Sequence, residues 1–156
     1  MEFIDCKAIS QKWKDEIKAT GVKACLYVIS AGDDPASNTY IRGKIKDAEE
    51  LGFKCVHKHI EAENRDQLLT QLIRLLDELR YSMSVDGVIV QLPLPFNVTF
   101  DDIKPYMAEE KDVDGFLADS PFNACTPDGI IQMLKEINID IDGKLCVITG
   151  RSYIVG

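Results

Sequence analysis

Four short β-like runs, separated by stretches of helical periodicity, constrain this chain more than any other feature. The run at 22–29 (VKACLYVI) is almost continuously apolar and ends at Ser30-Ala31-Gly32. Runs of this kind suit strands covered on both faces, as in a parallel sheet. Residues 54–60 (KCVHKHI) alternate weakly, 88–90 (VIV) lie inside DGVIVQLPLP, and 145–149 (LCVIT) form the last run. Pro93 and Pro95 end the third, because proline cannot continue a central strand. Between the runs the period changes. Ile9, Trp13 and Ile17 recur every four residues in 7–19. Residues 64–80 carry Leu68, Leu69, Leu72, Ile73, Leu76 and Leu79 on one stripe. A helix is predicted over 37–51, with Ser37 as its N-cap and Gly52 as its stop. A short helix is expected near 99–107, and another over 128–138 with Ile130, Ile131, Leu134 and Ile137 apolar. Strands alternating with helices predict an α/β chain with a mostly parallel sheet flanked by helices.

Composition narrows the function classes. The chain has 156 residues, 28% of them charged, and a net charge of −8. So acidic a chain is a poor candidate for nucleic acid or an anionic membrane, both of which need clustered Lys and Arg. No apolar run approaches the roughly 20 residues of a membrane span, and the N-terminus lacks an apolar signal core. The cysteines Cys6, Cys25, Cys55, Cys125 and Cys146 are odd in number, widely spaced and without a CxxC pair. They indicate neither a zinc site nor a disulfide framework, and a reducing cytoplasmic setting is expected.

Several residues could carry chemistry, each with an ordinary structural alternative. On the 37–51 helix, Ile41, Ile45 and Ala48 define the core stripe. Lys44 lies three residues after Ile41 and four after Tyr40, about 60° from that stripe at 100° per residue. A partly desolvated lysine there would have a lowered pKa and could act as a general acid or base; it could equally snorkel to solvent. The YxxxK pattern also occurs in short-chain dehydrogenases, but no glycine-rich dinucleotide loop precedes Tyr40. Gln91 stands where a buried strand ends, the usual ligand edge of an open α/β sheet. An amide there can orient a polar ligand or satisfy loop backbone. In KDVDGF, Asp112 and Asp114 precede Gly115 without the further carboxylates of a calcium loop. Asp114 can accept two hydrogen bonds from an amino-pyrimidine ring or simply belong to an Asp-Gly turn. His57 and His59 share a strand face without a third metal ligand. The GRSYIVG segment follows a strand but is neither GxGxxG nor a Walker loop.

Taken together and in order, GDDPASNTYIRGKIKDAEELG, DGVIVQLPLP, KDVDGF, CTPDGI and DGKLCVITGRSYIVG resemble the methylenetetrahydrofolate dehydrogenase/methenyltetrahydrofolate cyclohydrolase family. The resemblance runs from the first helix to Gly156. It implies a folate-binding catalytic domain over 1–125. It also implies that 126–156 hold a linker helix and the first strand of a Rossmann-type NADP domain. Lys44 matches the catalytic lysine, Tyr40 its partner tyrosine, Gln91 the glutamine that positions the lysine, and Asp114 the aspartate that holds the pterin. Ile41, Arg42 and Gly43 fall within the substrate segment, and Val90 and Leu92 flank the substrate. Thr126, Gly150, Arg151 and Ser152 match positions that meet NADP.

The implied chemistry is oxidation of 5,10-methylenetetrahydrofolate with NADP, then hydrolysis of the methenyl product to 10-formyltetrahydrofolate. This is one-carbon metabolism that feeds purine biosynthesis, in a homodimer that takes tetrahydrofolate derivatives. Single-activity cyclohydrolase and non-catalytic folate-binding module are the alternatives. The sequence departs from the family pattern in three ways. Little of the Rossmann domain is present, so the natural protein is expected to continue. The connection LADSPFNA is short, and Ala124 stands where a proline usually precedes Cys-Thr-Pro. The strands at 22–29, 54–60 and 88–91 are expected to close a core without residues beyond 140. The run at 145–149 is expected to lack neighbours to pair with.

Overall fold

The computed structural model describes residues 4–151. The chain order is α1 (Cys6–Thr20), β1 (Cys25–Ala31), α2 (Pro35–Leu51), β2 (Lys54–Ile60), α3 (Arg65–Arg80), β3 (Gly87–Val90), α4 (Phe100–Ile103) and α5 (Cys125–Glu136). Two 3-10 turns, Lys104–Tyr106 and Glu109–Lys111, follow α4. The strands form one sheet in the order β2-β1-β3, and both pairings are parallel. The α/β class read from the alternating periods is the architecture observed.

Topology places the helices. The β1-α2-β2 connection steps one way across the sheet and β2-α3-β3 steps back. Right-handed crossovers therefore put α2 and α3 on opposite faces. Alternation along β1 fits this: Ile29 and Ala31 join Leu68, Leu72, Leu76 and Leu79 of α3 in one apolar cluster. Val28 points the other way and is fully buried, as are Ile41 and Ala48 of α2. The α3 cluster is sealed at its end by Leu94, Val98, Ile103 and Met107. It involves no residue beyond Leu117, as the sequence led us to expect.

α4 is a single turn, Phe100–Ile103, where a helix near 99–107 was expected, and α5 runs from Cys125 to Glu136 instead of over 128–138; three further differences bear on the packing. β1 begins at Cys25, three residues late, and runs to Ala31. Helix α2 begins at Pro35, capped by Asp34, whose carboxylate accepts the Ser37 N–H at 2.7 Å. Ser37 is therefore inside the first turn. Proline is favoured at a first helical position because its missing N–H would have no helical partner there. The third difference is the strand expected at 145–149, which is not formed. Leu145, Val147 and Ile148 are 92%, 76% and 67% exposed and pair with no strand among the described residues. A strand is made by its neighbour's backbone, and β2 and β3, not this segment, flank β1.

The rim of the molecule is held by charge more than by burial. α1 has no buried residue. Lys14 lies 2.6 Å from Asp47 and 3.0 Å from Glu50 of α2, and Lys18 and Gln11 also reach Glu50. These donors, led by Lys14, hold the Glu50 carboxyl down to about 2. Lys12 pairs with Glu136 and so joins α1 to α5.

Candidate functional site

The ends of parallel strands create the candidate site, because their carboxyl edge leaves loops free to converge. At the end of β3, the Gln91 N–H donates to the Ile29 carbonyl at 2.8 Å, which continues the ladder by one residue. The Gln91 side chain then turns back, its Nε2 donating to the Leu92 carbonyl at 2.9 Å. Its Oε1 is buried and without a partner. A buried amide oxygen left open is costly in an apolar interior and is a natural seat for a donor. The first turn of α2 is tied to the same loop, since Ser37 Oγ donates to the Leu92 carbonyl at 3.3 Å.

A second loop closes on α2 from the other side. Lys111 Nζ donates at 2.7 Å to the carbonyls of both Leu79 and Ser82, which anchors residues 109–112 at the end of α3. Arg80 Nη2 donates to Pro105 and Met107 and secures the preceding turn. Asp112 bridges in parallel to Val88 beside β3. Gly87 makes room for this: a Cβ there would meet Val113 Cγ1 at 2.7 Å. The chain turns at Gly115 with φ of 66°, in the left-handed region. A Cβ at Gly115 would lie 2.5 Å from the Asn123 carbonyl carbon. These two glycines let the segment lie against β3 and let residues 123–125 return beside Asp114.

The outcome is a pair. Lys44 Nζ stands 3.8 Å from Asp114 Oδ2, within ion-pair reach but too long for a hydrogen bond. Both side chains are largely covered, at 29% and 16% exposure. Burial pushes the Asp114 carboxyl up, Lys44 opposes that shift, and the Asp112 charge adds to it. Cys125, at the start of α5, completes the edge. Its Sγ is 3.4 Å from the Val113 carbonyl and 4.0 Å from Asp114 Oδ1. Burial and the nearby Asp114 push its thiol up. The arrangement can hold a positive group beside a shielded carboxyl, pass a proton between them, and offer an acceptor at Gln91.

Other sequence candidates fall at differing distances from this pair. Tyr40 is 67% exposed, one turn before Lys44 on α2. Arg42 is exposed and donates to Thr39 Oγ1 on its own helix, and Gly43 is open to solvent. Leu92 packs partly against the core. Ile41 and Val90 are buried, at 2% and 4% exposure. Ile41 is on the α2 core stripe, and Val90 shares its face of β3 with Val88 in the α3 cluster. The Gln91 amide makes no hydrogen bond to Lys44 among the described residues; it is engaged by Leu92. Thr126 is exposed in the first turn of α5, and Gly150 and Arg151 are exposed irregular chain. Ser152 lies outside the described residues.

Cys125, Gly87 and the clasp made by Asp112 join the site without belonging to the residues the sequence points to. The DG pairs at 86–87 and 114–115 mark both glycine positions. Nothing local in Cys-Thr-Pro indicates that its thiol returns to Asp114. His57 Nε2 and His59 Nδ1 converge on Ser30 Oγ at 2.9 and 3.1 Å. No group of three or more metal-ligating side chains is assembled among the described residues. A groove of about 610 Å³ between α1 and α5, walled by Trp13, Val113, Cys125 and Gln132, adjoins the Asp114 side of the pair.

Residues 4–114 match the model of the tetrahydrofolate dehydrogenase/cyclohydrolase catalytic domain, and residues 124–156 match that of the NAD(P)-binding domain of the same enzymes. The bifunctional protein FolD of Agathobacter rectalis is 41% identical over 99% of this chain and 60% of its own length. A crystal structure of the bifunctional FolD methylenetetrahydrofolate dehydrogenase/cyclohydrolase from Campylobacter jejuni superposes with a TM-score of 0.90 at 39% identity, covering 100% of this chain and 60% of that one. The Trypanosoma brucei methylenetetrahydrofolate dehydrogenase-cyclohydrolase, solved with NADP and an inhibitor, gives a TM-score of 0.81 at 26% identity, covering 97% of this chain and 55% of that one. The chain thus spans about 60% of the length of the curated relatives it matches.

Proposed function

The chain belongs to the tetrahydrofolate dehydrogenase/cyclohydrolase family, and from that premise we propose that it carries the folate site of a bifunctional enzyme of one-carbon metabolism. The observation that carries this reading is the largely covered Lys44–Asp114 pair, brought together from a helix and a loop, beside a sheet whose third strand ends at Gln91 with a buried, open Oε1. In this proposal 5,10-methylenetetrahydrofolate loses a hydride from its methylene carbon and becomes the 5,10-methenyl cation. NADP, when bound, accepts that hydride. Water then adds to the methenyl carbon and releases one proton; its second proton passes to N5, which takes the electron pair as the C–N5 bond breaks, to give 10-formyltetrahydrofolate.

The residues divide this work by their chemistry. Asp114 accepts hydrogen bonds from the amino-pyrimidine edge of the pterin, for which a planar pair of oxygens is suited. Lys44 moves the proton in the hydrolysis. An ammonium next to a methenyl cation is repelled, so the amine must be neutral for part of the cycle, with Asp114 as the neighbour able to share its proton. Gln91 offers its open Oε1 and keeps Lys44 oriented. Tyr40 borders the substrate from one turn away, with Arg42, Gly43 and Leu92 on the rim and Ile41 and Val90 as its apolar backing. Thr126, Gly150, Arg151 and Ser152 border NADP. We place the folate domain at 1–125 and the start of the nucleotide domain at 126–156. The protein is further read as a cytoplasmic homodimer that serves purine biosynthesis.

One observation favours a narrower second reading. The Lys44–Asp114 pair is assembled within the described residues. Hydrolysis of the methenyl compound can draw on that pair alone, whereas hydride transfer also requires donor and acceptor within about 3–3.5 Å. The test is spectrophotometric. The protein is mixed with NADP and 5,10-methylenetetrahydrofolate, and separately with the 5,10-methenyl compound. NADP reduction and methenyl hydrolysis are both expected of the bifunctional enzyme. Hydrolysis alone selects the narrower reading, and neither reaction removes both.

A further inference from the structure

Asp112 is a buried acid that the proposed chemistry does not use. It is 1% exposed, yet its carboxylate has a single hydrogen-bond donor, the Leu117 N–H at 2.7 Å from Oδ2. Its Oδ1 is buried without a partner. Its backbone carbonyl accepts from Ser120 Oγ at 2.9 Å and from the Gly115 N–H at 3.1 Å. Residue 112 thus clasps the turn of 112–120 at three points, and Asp114 sits inside that turn. Closing such a turn needs only a side-chain acceptor, which Asn or Ser supplies without charge. A buried carboxylate with one open oxygen is a costly way to do the same.

The charge has a neighbour to act on. Groups facing Asp114 are Lys44 from α2, Asp112 from its own segment and the Cys125 thiol from α5, with Asp128 one turn further along α5. We infer that Asp112 is a positioning residue for the Lys44–Asp114 pair: its carboxylate fixes the turn that presents Asp114 to Lys44, and its negative charge stands behind Asp114. A like charge at close range disfavours the ionised form of a carboxyl. The Asp114 carboxyl is thereby harder to ionise than it would be without Asp112. The inference rests on the reading of Lys44 as the proton carrier.

The experiment follows the Asp114 carboxyl by carbon-13 NMR titration of this chain, as wild type and as Asp112→Asn, with hydrogen exchange at the Leu117 amide recorded alongside. Asn keeps an acceptor for Leu117 and removes the charge. The expected result is a protected Leu117 amide in both proteins and an Asp114 midpoint that moves to lower pH in the variant. Asp112→Ala should in addition lose the Leu117 protection. An unchanged Asp114 midpoint in Asp112→Asn overturns the inference, because a merely structural clasp would leave it unmoved. A variant that loses its fold altogether assigns Asp112 to folding alone and also overturns it. Titration of wild type with tetrahydrofolate tests the folate reading separately: absence of binding removes that reading while the Asp112–Asp114 coupling is still measured.

Discussion

α3 and α5 are of similar length and carry similar apolar stripes, yet they end in opposite environments. α3 buries Leu68, Leu72, Leu76 and Leu79 against the sheet, while α5 buries none of its residues and leaves Ile130 48% exposed. The stripes of the two helices ask for the same thing, a covering surface. β1 and β3 provide it for α3. Among the described residues α5 faces α1 across a groove, joined by the Lys12–Glu136 pair, and touches the 113–114 segment through Cys125. An amphipathic pattern records a helix's demand for burial; whether the demand is met depends on what the rest of the chain places opposite. The same contrast separates the assembled Lys44–Asp114 pair, seated on the filled core, from Gly150 and Arg151 in the exposed segment.

The sharpest way to break this division is at Lys44. Lys44→Met keeps the aliphatic stem and removes the proton-carrying amine. Methenyl hydrolysis should fall by at least 10²–10⁴-fold, roughly the contribution of a general acid or base, with the circular dichroism spectrum unchanged. Hydrolysis near the wild-type rate would take the chemistry away from the assembled region.

Stability should divide in the same way. Leu72 is fully buried, and Leu72→Ala should cost about 2–5 kcal/mol by denaturant titration. Ile130→Ala should stay within about 0.5 kcal/mol. Comparable losses at both would mean that α5 is covered in solution.

Asp114→Ala should weaken folate binding by about 1.5–3 kcal/mol, the range for a lost charge-assisted acceptor, and leave NADP binding unaffected. Calorimetry with equal losses for both ligands would place Asp114 between the two regions instead of within one.

The smallest effect concerns α1. The folded-state pKa of Glu50 is lowered to about 2 from an ordinary 4.5. Its contribution is therefore complete above the ordinary value and is lost as pH falls through the folded value. Hydrogen exchange in α1 should accelerate between those two pH values and also with added salt, while α3 stays protected. An α1 insensitive to both would mean that Ile9 and Trp13 hold it, not its lysines.

The fold was largely legible before any coordinates. The apolar runs at 22–29 and 88–90 and the leucine stripe of 64–80 each record a local period, and each became the expected element. The candidate site was legible as a set of residue types in a family order. Its geometry was not. That Asp114 faces Lys44 follows from Gly87 admitting Val113, Gly115 admitting residues 123–124, and Asp112 clasping Leu117. Those contacts join residues far apart in the chain, and no periodicity encodes them. Ser37 illustrates a nearer limit: Ser37 and Asp34 are both good caps, and Pro35 at the first helical position decides between them.

By itself, then, the sequence determined the alternation of strands and helices, the faces that demand burial and the glycines that can turn. All of these depend on the chemistry of a residue and its near neighbours. Only the tertiary structure decided which apolar faces are covered and which run pairs as a strand. LCVIT is at least as apolar as the segment that became β2, yet it pairs with nothing among the described residues. Hydrogen bonding in a sheet is a property of two segments, and a run of residues can specify only its own half.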